Sequence, residues 1–194
     1  KISDSRCRIL ICAGTGCLAG GSGEIYRRMS ELAEENPDID VEFGPEIAHG
    51  SGPLEVKKSG CHGFCEMGPL MRIEPAGILY TKVKPEDCDE IFHRTIEKGD
   101  VIRHLLFKQG DIIRHLLYKQ DGLEYKKQEE IPFYKKQTRN VLKNCGHIDA
   151  EHIEEYISTG GYEALEKVLF EMTPQEVVEE ISASNLRGRG GGLA

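Results

Sequence analysis

Four cysteines lie in two short loops flanked by glycine, and their type and spacing could hold a redox cofactor. Cys12 and Cys17 occur in CAGTGC, and Cys61 and Cys65 occur in CHGFC. The spacing is therefore C-x4-C, a long gap and C-x3-C. Glycine lets a backbone wrap closely around a bulky bound group, and the soft thiolate of cysteine suits iron and sulfide. We interpret the pattern as an iron–sulfur site, which predicts that the chain carries electrons.

Two other uses of these thiols stay open on spacing alone. Structural zinc sites prefer C-x2-C knuckles, often in pairs, whereas both loops of this chain are wider. Disulfides or free thiols are the second alternative, although seven cysteines, an odd number, argue against a complete disulfide framework. A thioredoxin-type redox dithiol would need C-x-x-C, which the sequence lacks.

The residues around these loops have simpler interpretations. His62 follows Cys61, and histidines replace two cysteines in Rieske centres. Because four cysteines are available, we expect His62 to be a loop residue that could tune the potential through a hydrogen bond to sulfur. Cys88 falls on the apolar face of a predicted helix and is expected in the core. Cys7 and Cys145 receive no predicted function.

The first 98 residues predict a compact two-layer α/β unit that positions both loops. Its order is a strand, a helix, a strand, a hairpin and a helix, with Gly99 as the C-cap of the last helix. The predicted elements are a strand at 8–12, a helix at 24–35, a strand at 39–43, hairpin strands at 70–74 and 78–83, and a helix at 85–98.

An internal repeat follows, in which GDVIRHLLFKQ is succeeded at once by GDIIRHLLYKQ over residues 99–120. A structural repeat usually needs three or more copies of a longer unit. We therefore interpret this segment as a local duplication within a linker at 99–130, without chemistry of its own.

The remaining chain predicts helices and ends in a glycine-rich loop. Helices are expected from Asp149 to Ile157, from Tyr162 to Glu171, and from Thr173, where TPQE is a strong helix start. The third helix is expected to carry Val177, Val178 and Ile181 inward.

The sequence after that helix, RGRGGG, could present backbone N–H groups to phosphates or let a flat ring approach closely. A flexible tail with solvated arginines is the alternative. Since no nucleotide-binding domain follows, we expect a fragment of a longer polypeptide.

Composition excludes several classes of function. The chain has 194 residues, a net charge of −8 and no basic stripe, which argues against a nucleic acid partner. No apolar run approaches the ~20 residues that span a bilayer, so direct membrane insertion is not expected. The N-terminal sequence lacks the features of a signal peptide, which predicts a cytoplasmic location.

At three separate places the residues resemble a known family. CAGTGC and CHGFCEMGP resemble the thioredoxin-like [2Fe-2S] ferredoxin domain of respiratory complex I and related NADH-oxidising subunits. The segment from IPFYKKQ to GGYEAL, with TPQEVVEEISASNLRGRGGG, is similar to the opening of the complex I flavin subunit. The combination resembles in particular the flavin (beta) subunit of NAD-linked, electron-bifurcating [FeFe]-hydrogenases and formate dehydrogenases.

The resemblance implies a fold, cofactors and partners. It implies a thioredoxin-like [2Fe-2S] domain at 1–98, the linker at 99–130 and the mainly helical start of an FMN domain at 131–194. Cluster ligands would be Cys12, Cys17, Cys61 and Cys65. The FMN loop would comprise Gly188, Arg189, Gly190, Gly191 and Gly192. FMN, NAD(H) and a [4Fe-4S] cluster are expected only in the full-length parent, because the NADH-binding region and the C-terminal cysteines are missing.

The implied function is electron transfer within an NAD(H)-dependent, FMN-containing oxidoreductase. The expected partners are other subunits of a multi-subunit redox complex, namely a hydrogenase or dehydrogenase subunit and a small ferredoxin-like subunit. The alternative from another class is a structural docking module whose four cysteines hold zinc or no metal.

Overall fold

A computed structural model describes residues 7–37, 39, 54–108 and 123–186 of the chain. The chain divides into two compact units, Lys1–Ile153 and Glu154–Ala194. Three predictions lie outside the described residues: most of the strand at 39–43, the second repeat copy and the glycine-rich loop at 188–192. No helix in the described ranges is long and apolar enough to cross a membrane.

A four-stranded mixed sheet forms the centre of the first unit. Its strands are β1 (Arg8–Cys12), β2 (Glu55–Ser59), β3 (Met71–Glu74) and β4 (Ile78–Tyr80). The strand order is β2-β1-β3-β4; β1 is parallel to β2, and the other neighbours are antiparallel. From Ile9 to Cys12, β1 is at most 1% exposed, which explains its unbroken apolar run. The first predicted strand and the predicted hairpin are confirmed.

Two helices follow β1, namely α1 (Thr15–Ala19) and α2 (Ser22–Glu35). The second helix buries Ile25, Met29 and Leu32, which recur every three or four residues on the face toward the sheet. The helix predicted from Glu24 is therefore confirmed and begins two residues earlier.

A continuous helical segment covers the same core beyond β4. It consists of a 3₁₀ turn (Pro85–Asp87), α3 (Cys88–Glu90) and a π-helical stretch (Ile91–Ile96). The Tyr80 hydroxyl lies 2.7 Å from Thr95 Oγ1 and so joins this segment to the sheet. Gly99 follows with a φ of +70°, as expected for the glycine that ends a helix. The predicted helix and its apolar face are confirmed, because Cys88, Ile91, Phe92, Thr95 and Ile96 are all buried.

The described part of the predicted linker packs into the first unit instead of extending away from it. Ile102, Leu105 and Leu106 are at most 4% exposed, and Leu106 pairs with Tyr80 of β4. The described part of the unit also contains β5 (Phe107–Lys108), its antiparallel partner β6 (Glu124–Tyr125) and helix α4 (Pro132–Lys135). Because burial of apolar side chains is favourable, the first repeat copy packs against β4, the strand at one edge of the sheet.

Three helices, α5 (Ile153–Ser158), α6 (Glu163–Glu171) and α7 (Pro174–Ala183), form the C-terminal part. The predicted start of α7 is confirmed: Glu176 N donates to Thr173 Oγ1, and Thr173 N donates to Glu176 Oε2 over 2.7 Å. The inward orientation predicted for α7 is wrong, since Val178 and Ile181 are 58% and 56% exposed. The predicted class, α/β with a mainly helical C-terminal part, is confirmed.

Candidate metal centre

The parallel pairing of β1 and β2 brings the two cysteine loops to one edge of the sheet. Cys12, the last residue of β1, is in register with Ser59, the last residue of β2. The pairing continues for one more step, since Ala13 N donates to Ser59 O over 2.9 Å. Both loops therefore begin side by side, as parallel neighbours must when their strands end together.

The first loop holds a buried pair of thiols. Cys12 ends β1, Cys17 lies in α1, and both are 1% exposed. A hydrogen bond from the Cys17 thiol lowers the pKa of Cys12 to about 6, with further help from the backbone N–H groups of His62 and Gly14. The same bond, together with burial, raises the pKa of Cys17. Cys12 is therefore the thiol that ionises first and offers a ready thiolate ligand.

The second loop holds a more exposed pair. The Sγ atoms of Cys61 and Cys65 lie 3.8 Å apart, and the Gly63 N–H donates to Cys61 Sγ over 3.3 Å. Gly63 has a φ of +78°, a conformation that glycine adopts without strain and that turns its amide toward the sulfur. Cys61 is half-buried and Cys65 is exposed. Burial is the main cause that raises the pKa of Cys61.

The two loops touch each other, and glycine makes the contact possible. A Cβ atom on Gly14 would lie 3.2 Å from Cys61 Sγ, and one on Gly68 would lie 2.8 Å from Cys17 Sγ. A Cβ atom on Gly16 would meet Cys65 Sγ at 3.9 Å. The glycines that flank the cysteines thus allow the backbone of each loop to approach the thiols.

This arrangement fits a two-metal cluster better than a single ion. Two ligands of a tetrahedral ion with bonds of about 2.3 Å lie about 3.8 Å apart, which is the separation of Cys61 Sγ and Cys65 Sγ. Among the described residues, no group of three or more His, Cys, Asp or Glu side chains could hold one metal ion. Four soft thiolates in two pairs, one pair for each iron, match the donor set of a [2Fe-2S] cluster.

His62 lies beside this centre but does not direct its ring at a sulfur. The side chain is fully buried, and Nε2 lies 2.7 Å from Ser59 Oγ. Burial is the main cause that lowers the pKa of His62 to about 3, so the ring is neutral. The ring therefore faces Ser59, and the hydrogen bond from His62 to sulfur expected from the sequence stays a prediction.

The other three cysteines lie apart from the four-thiol site. Cys7 and Cys88 are fully buried in the core on one face of the sheet, as predicted for Cys88. Cys145 is half-buried and packs near Gly60, because a Cβ atom there would lie 3.1 Å from Cys145 Sγ. All seven cysteines are free. The predicted FMN loop, Gly188 to Gly192, lies outside the described residues.

Sequence reasoning missed the segment that covers the second loop. Tyr134 donates a hydrogen bond to His62 O over 3.0 Å, and Arg139 donates to Cys61 O over 3.4 Å. Asp149, expected to cap a helix, instead pairs with Ser59, and α5 begins only at Ile153. A side chain that binds a distant carbonyl leaves no periodic signal in the sequence, so pattern reasoning could not have found these contacts.

Sequence comparison finds two kinds of relatives. Over 57 residues the chain is 58% identical to the NADP-reducing hydrogenase subunit HndC of Solidesulfovibrio fructosivorans, covering 29% of this chain and 11% of HndC. Over 59 residues it is 44% identical to an NADH-quinone oxidoreductase subunit of Aquifex aeolicus, covering 30% of this chain and 14% of that relative. Over 86 residues it is 28% identical to a 2Fe-2S ferredoxin of Aquifex aeolicus, covering 44% of this chain and 68% of the ferredoxin.

Comparison of structures finds the thioredoxin-like [2Fe-2S] ferredoxin from Aquifex aeolicus. It aligns with a TM-score of 0.44 and 23% identity, covering 55% of this chain and 94% of the ferredoxin. No family model matches the chain. The resemblance drawn from the sequence motifs is confirmed: the chain is similar both to 2Fe-2S ferredoxins and to subunits of oxidoreductases, although it spans only a small part of those subunits.

Proposed function

We propose that this chain transfers electrons through a [2Fe-2S] cluster held by Cys12, Cys17, Cys61 and Cys65. The observation that carries the proposal is the convergence of two thiol pairs at one sheet edge, with Cys61 Sγ and Cys65 Sγ spaced as two ligands of one iron. The similarity to 2Fe-2S ferredoxins supports the same cofactor.

The chain's own residues would control where electrons pass and how readily the cluster accepts them. When bound, the cluster supplies a one-electron acceptor. The buried Cys12 and Cys17 would shield a bound cluster from water, and the exposed Cys65 would be the ligand most accessible to a redox partner. The Gly63 N–H donates to Cys61 Sγ, and such a bond favours the reduced, more negative state.

We further propose that the chain works within a larger NAD(P)H-linked oxidoreductase polypeptide. The names of HndC and of the NADH-quinone oxidoreductase relatives support this class. In such a parent, FMN bound near Gly188 to Gly192 would exchange a hydride with the nicotinamide and pass single electrons to the cluster. Electron bifurcation, a formate dehydrogenase partner, a [4Fe-4S] cluster, a cytoplasmic location and the domain boundaries at 98 and 130 belong to the same proposal.

The test is the metal content of anaerobically purified chain, followed by EPR after dithionite reduction. We expect two irons and two sulfides per chain and a one-electron signal. The signal should be lost in Cys12→Ala and Cys61→Ala, and it should persist in the matched control Cys88→Ala, whose thiol lies in the core away from the site. Stoichiometric zinc, or a folded chain without metal, would refute the proposal and favour a docking module.

A further inference from the structure

The segment from Ile131 to Ala150, which we call the strap, lies along the second cysteine loop. Its first part is anchored in the core: Ile131 is fully buried, and Tyr134 is 8% exposed. Both belong to the cluster of buried side chains that includes Phe64, and the rings of Phe64 and Tyr134 meet edge to face at 5.4 Å. The strap is therefore held next to the loop by apolar packing.

Two side chains of the strap bind successive carbonyl groups of the loop. The Tyr134 hydroxyl donates to His62 O over 3.0 Å. Arg139 donates through Nη2 to Cys61 O and through Nη1 to Cys145 O of the strap itself, both over 3.4 Å. The planar guanidinium thus bridges a candidate cluster ligand and the strap, which is a geometry that lysine cannot reproduce.

The end of the strap closes on the start of the loop. Ala150 N donates to Lys58 O over 2.8 Å, and Asp149 forms a β-bridge with Ser59. Gly146 lies against the buried His62 ring: a Cβ atom there would be 3.0 Å from Nδ1, and its φ is +84°. The strap therefore contacts the polypeptide from Lys58 to His62 at several successive points.

The strap also places positive charge near the loop of an acidic chain. A cleft of about 450 Å³ beside it is lined by Lys135, Arg139 and Lys143. The carboxylate in that lining, Glu129, lies 2.8 Å from Arg72 Nη2 and is thereby partly neutralised. A nearby positive charge favours the state of a redox centre that carries one more electron.

We infer that the strap clamps the second cysteine loop and that Arg139 is a positioning residue whose charge raises the reduction potential of the site. The charge effect rests on the proposed function, whereas the clamp does not, because it is a property of the polypeptide. In this scheme Tyr134 fixes the loop backbone at His62, and Arg139 fixes it at Cys61.

The test compares Arg139→Gln, Arg139→Lys and Tyr134→Phe with two matched controls in the same full chain. Arg94→Gln removes an arginine that pairs with Glu90 on the exposed side of the helical segment. Tyr80→Phe removes a hydroxyl that is buried like that of Tyr134 but lies 2.7 Å from Thr95 Oγ1 and accepts a hydrogen bond from Ile102 N. The two readouts are hydrogen exchange of the amides at 60–64 and the midpoint potential from an EPR-monitored titration.

We expect the loop amides to exchange about three- to tenfold faster in Arg139→Gln and Tyr134→Phe, since a lost hydrogen bond contributes about 1 kcal/mol. In Arg139→Gln the equilibrium constant for reduction should fall at least about threefold, a shift of about 28 mV to more negative values for a one-electron couple. Arg139→Lys should keep the potential near that of the wild type while the loop still exchanges faster.

Two results would overturn the inference. If the amides at 60–64 exchange hydrogen no faster in Arg139→Gln and Tyr134→Phe than in Tyr80→Phe, the strap does not clamp the loop. If the midpoint potential of Arg139→Gln equals that of Arg94→Gln, the charge of Arg139 does not raise the reduction potential. A chain purified without a cluster would contradict the proposed function, and the exchange measurement would still decide whether the clamp exists.

Discussion

Gly68→Ala is the substitution that tests the geometry of the four-thiol site most directly. Gly68 has φ −72° and ψ 161°, an extended conformation that alanine adopts without backbone strain. Any effect must therefore come from the added methyl group. That methyl group would lie 2.8 Å from Cys17 Sγ and 3.2 Å from Cys65 O.

The expected destabilisation of Gly68→Ala follows from the lack of space for the added methyl group. Carbon and sulfur atoms in contact normally lie about 3.8 Å apart, so the overlap with Cys17 is about 1 Å. Cys17 cannot turn away cheaply, because it is 1% exposed and is enclosed by its neighbours. Overpacking of this kind costs about 1–3 kcal/mol in the free energy of unfolding. Moving Cys17 would also change the spacing between the thiols of Cys12 and Cys17.

Denaturant unfolding and iron content measure the two consequences. Gly23→Ala is the matched control, since a Cβ atom there meets nothing within 4 Å and the position lies in α2. We expect Gly23→Ala to stabilise the protein by up to about 1 kcal/mol, because alanine is the better helix former. The Gly68→Ala variant should be less stable than the wild type and should bind less iron per chain. If it matches Gly23→Ala in both measurements, Cys17 does not lie where the site requires it.

Three further predictions concern other parts of the chain. Thr173→Ala should cost the α7 helix about 1 kcal/mol through loss of its N-cap, and circular dichroism should report lower helix content; unchanged helix content would contradict the capping box. Hydrogen bonds from the Thr173 backbone and side chain lower the pKa of Glu176, so the stabilisation is present above its unfolded pKa and should be lost as pH falls through its lower folded pKa. Burial raises the pKa of Cys7 and of Cys88 to about 12, so iodoacetamide at pH 8 should label exposed Cys65 in metal-free protein much faster than either. Equal labelling of Cys65, Cys7 and Cys88, measured by mass spectrometry, would mean that the core thiols are accessible to solvent.

Local patterns allowed the central elements and the four thiols to be predicted. The apolar run of β1 and the spacing of Ile25, Met29 and Leu32 each specify one buried face, and tertiary packing used those faces as expected. The cysteine loops could be recognised as a candidate metal site because the ligand residues and the flanking glycines can be read directly from the sequence. Their proximity, however, depends on the parallel pairing of β1 with β2, and the strand predicted at 39–43 was not β2.

The predicted linker shows what sequence patterns leave open. Residues from Ile102 to Leu106 belong to the first copy of the duplicated segment, which was interpreted as part of a linker without chemistry of its own. In the structure the apolar side chains of the first copy cover the β4 edge. A sequence pattern indicates which side chains prefer burial, but it does not indicate which open edge of the fold will receive them.

The strap changes how the two halves of the sequence are understood. Resemblance assigned residues from 131 onward to a flavin domain and those before 98 to a ferredoxin domain, which predicts that the cluster site is complete within the first part. The hydrogen bonds from Tyr134 and Arg139 to the loop carbonyls join these two assigned parts. If electron transfer occurs at the four thiols, the segment that leads into the second unit also holds one of their loops. A truncation after residue 130 removes the strap, keeps all four cysteines and should therefore loosen the Cys61 loop. Hydrogen exchange at 60–64 that equals that of the full chain would show that the residues before the strap are self-sufficient.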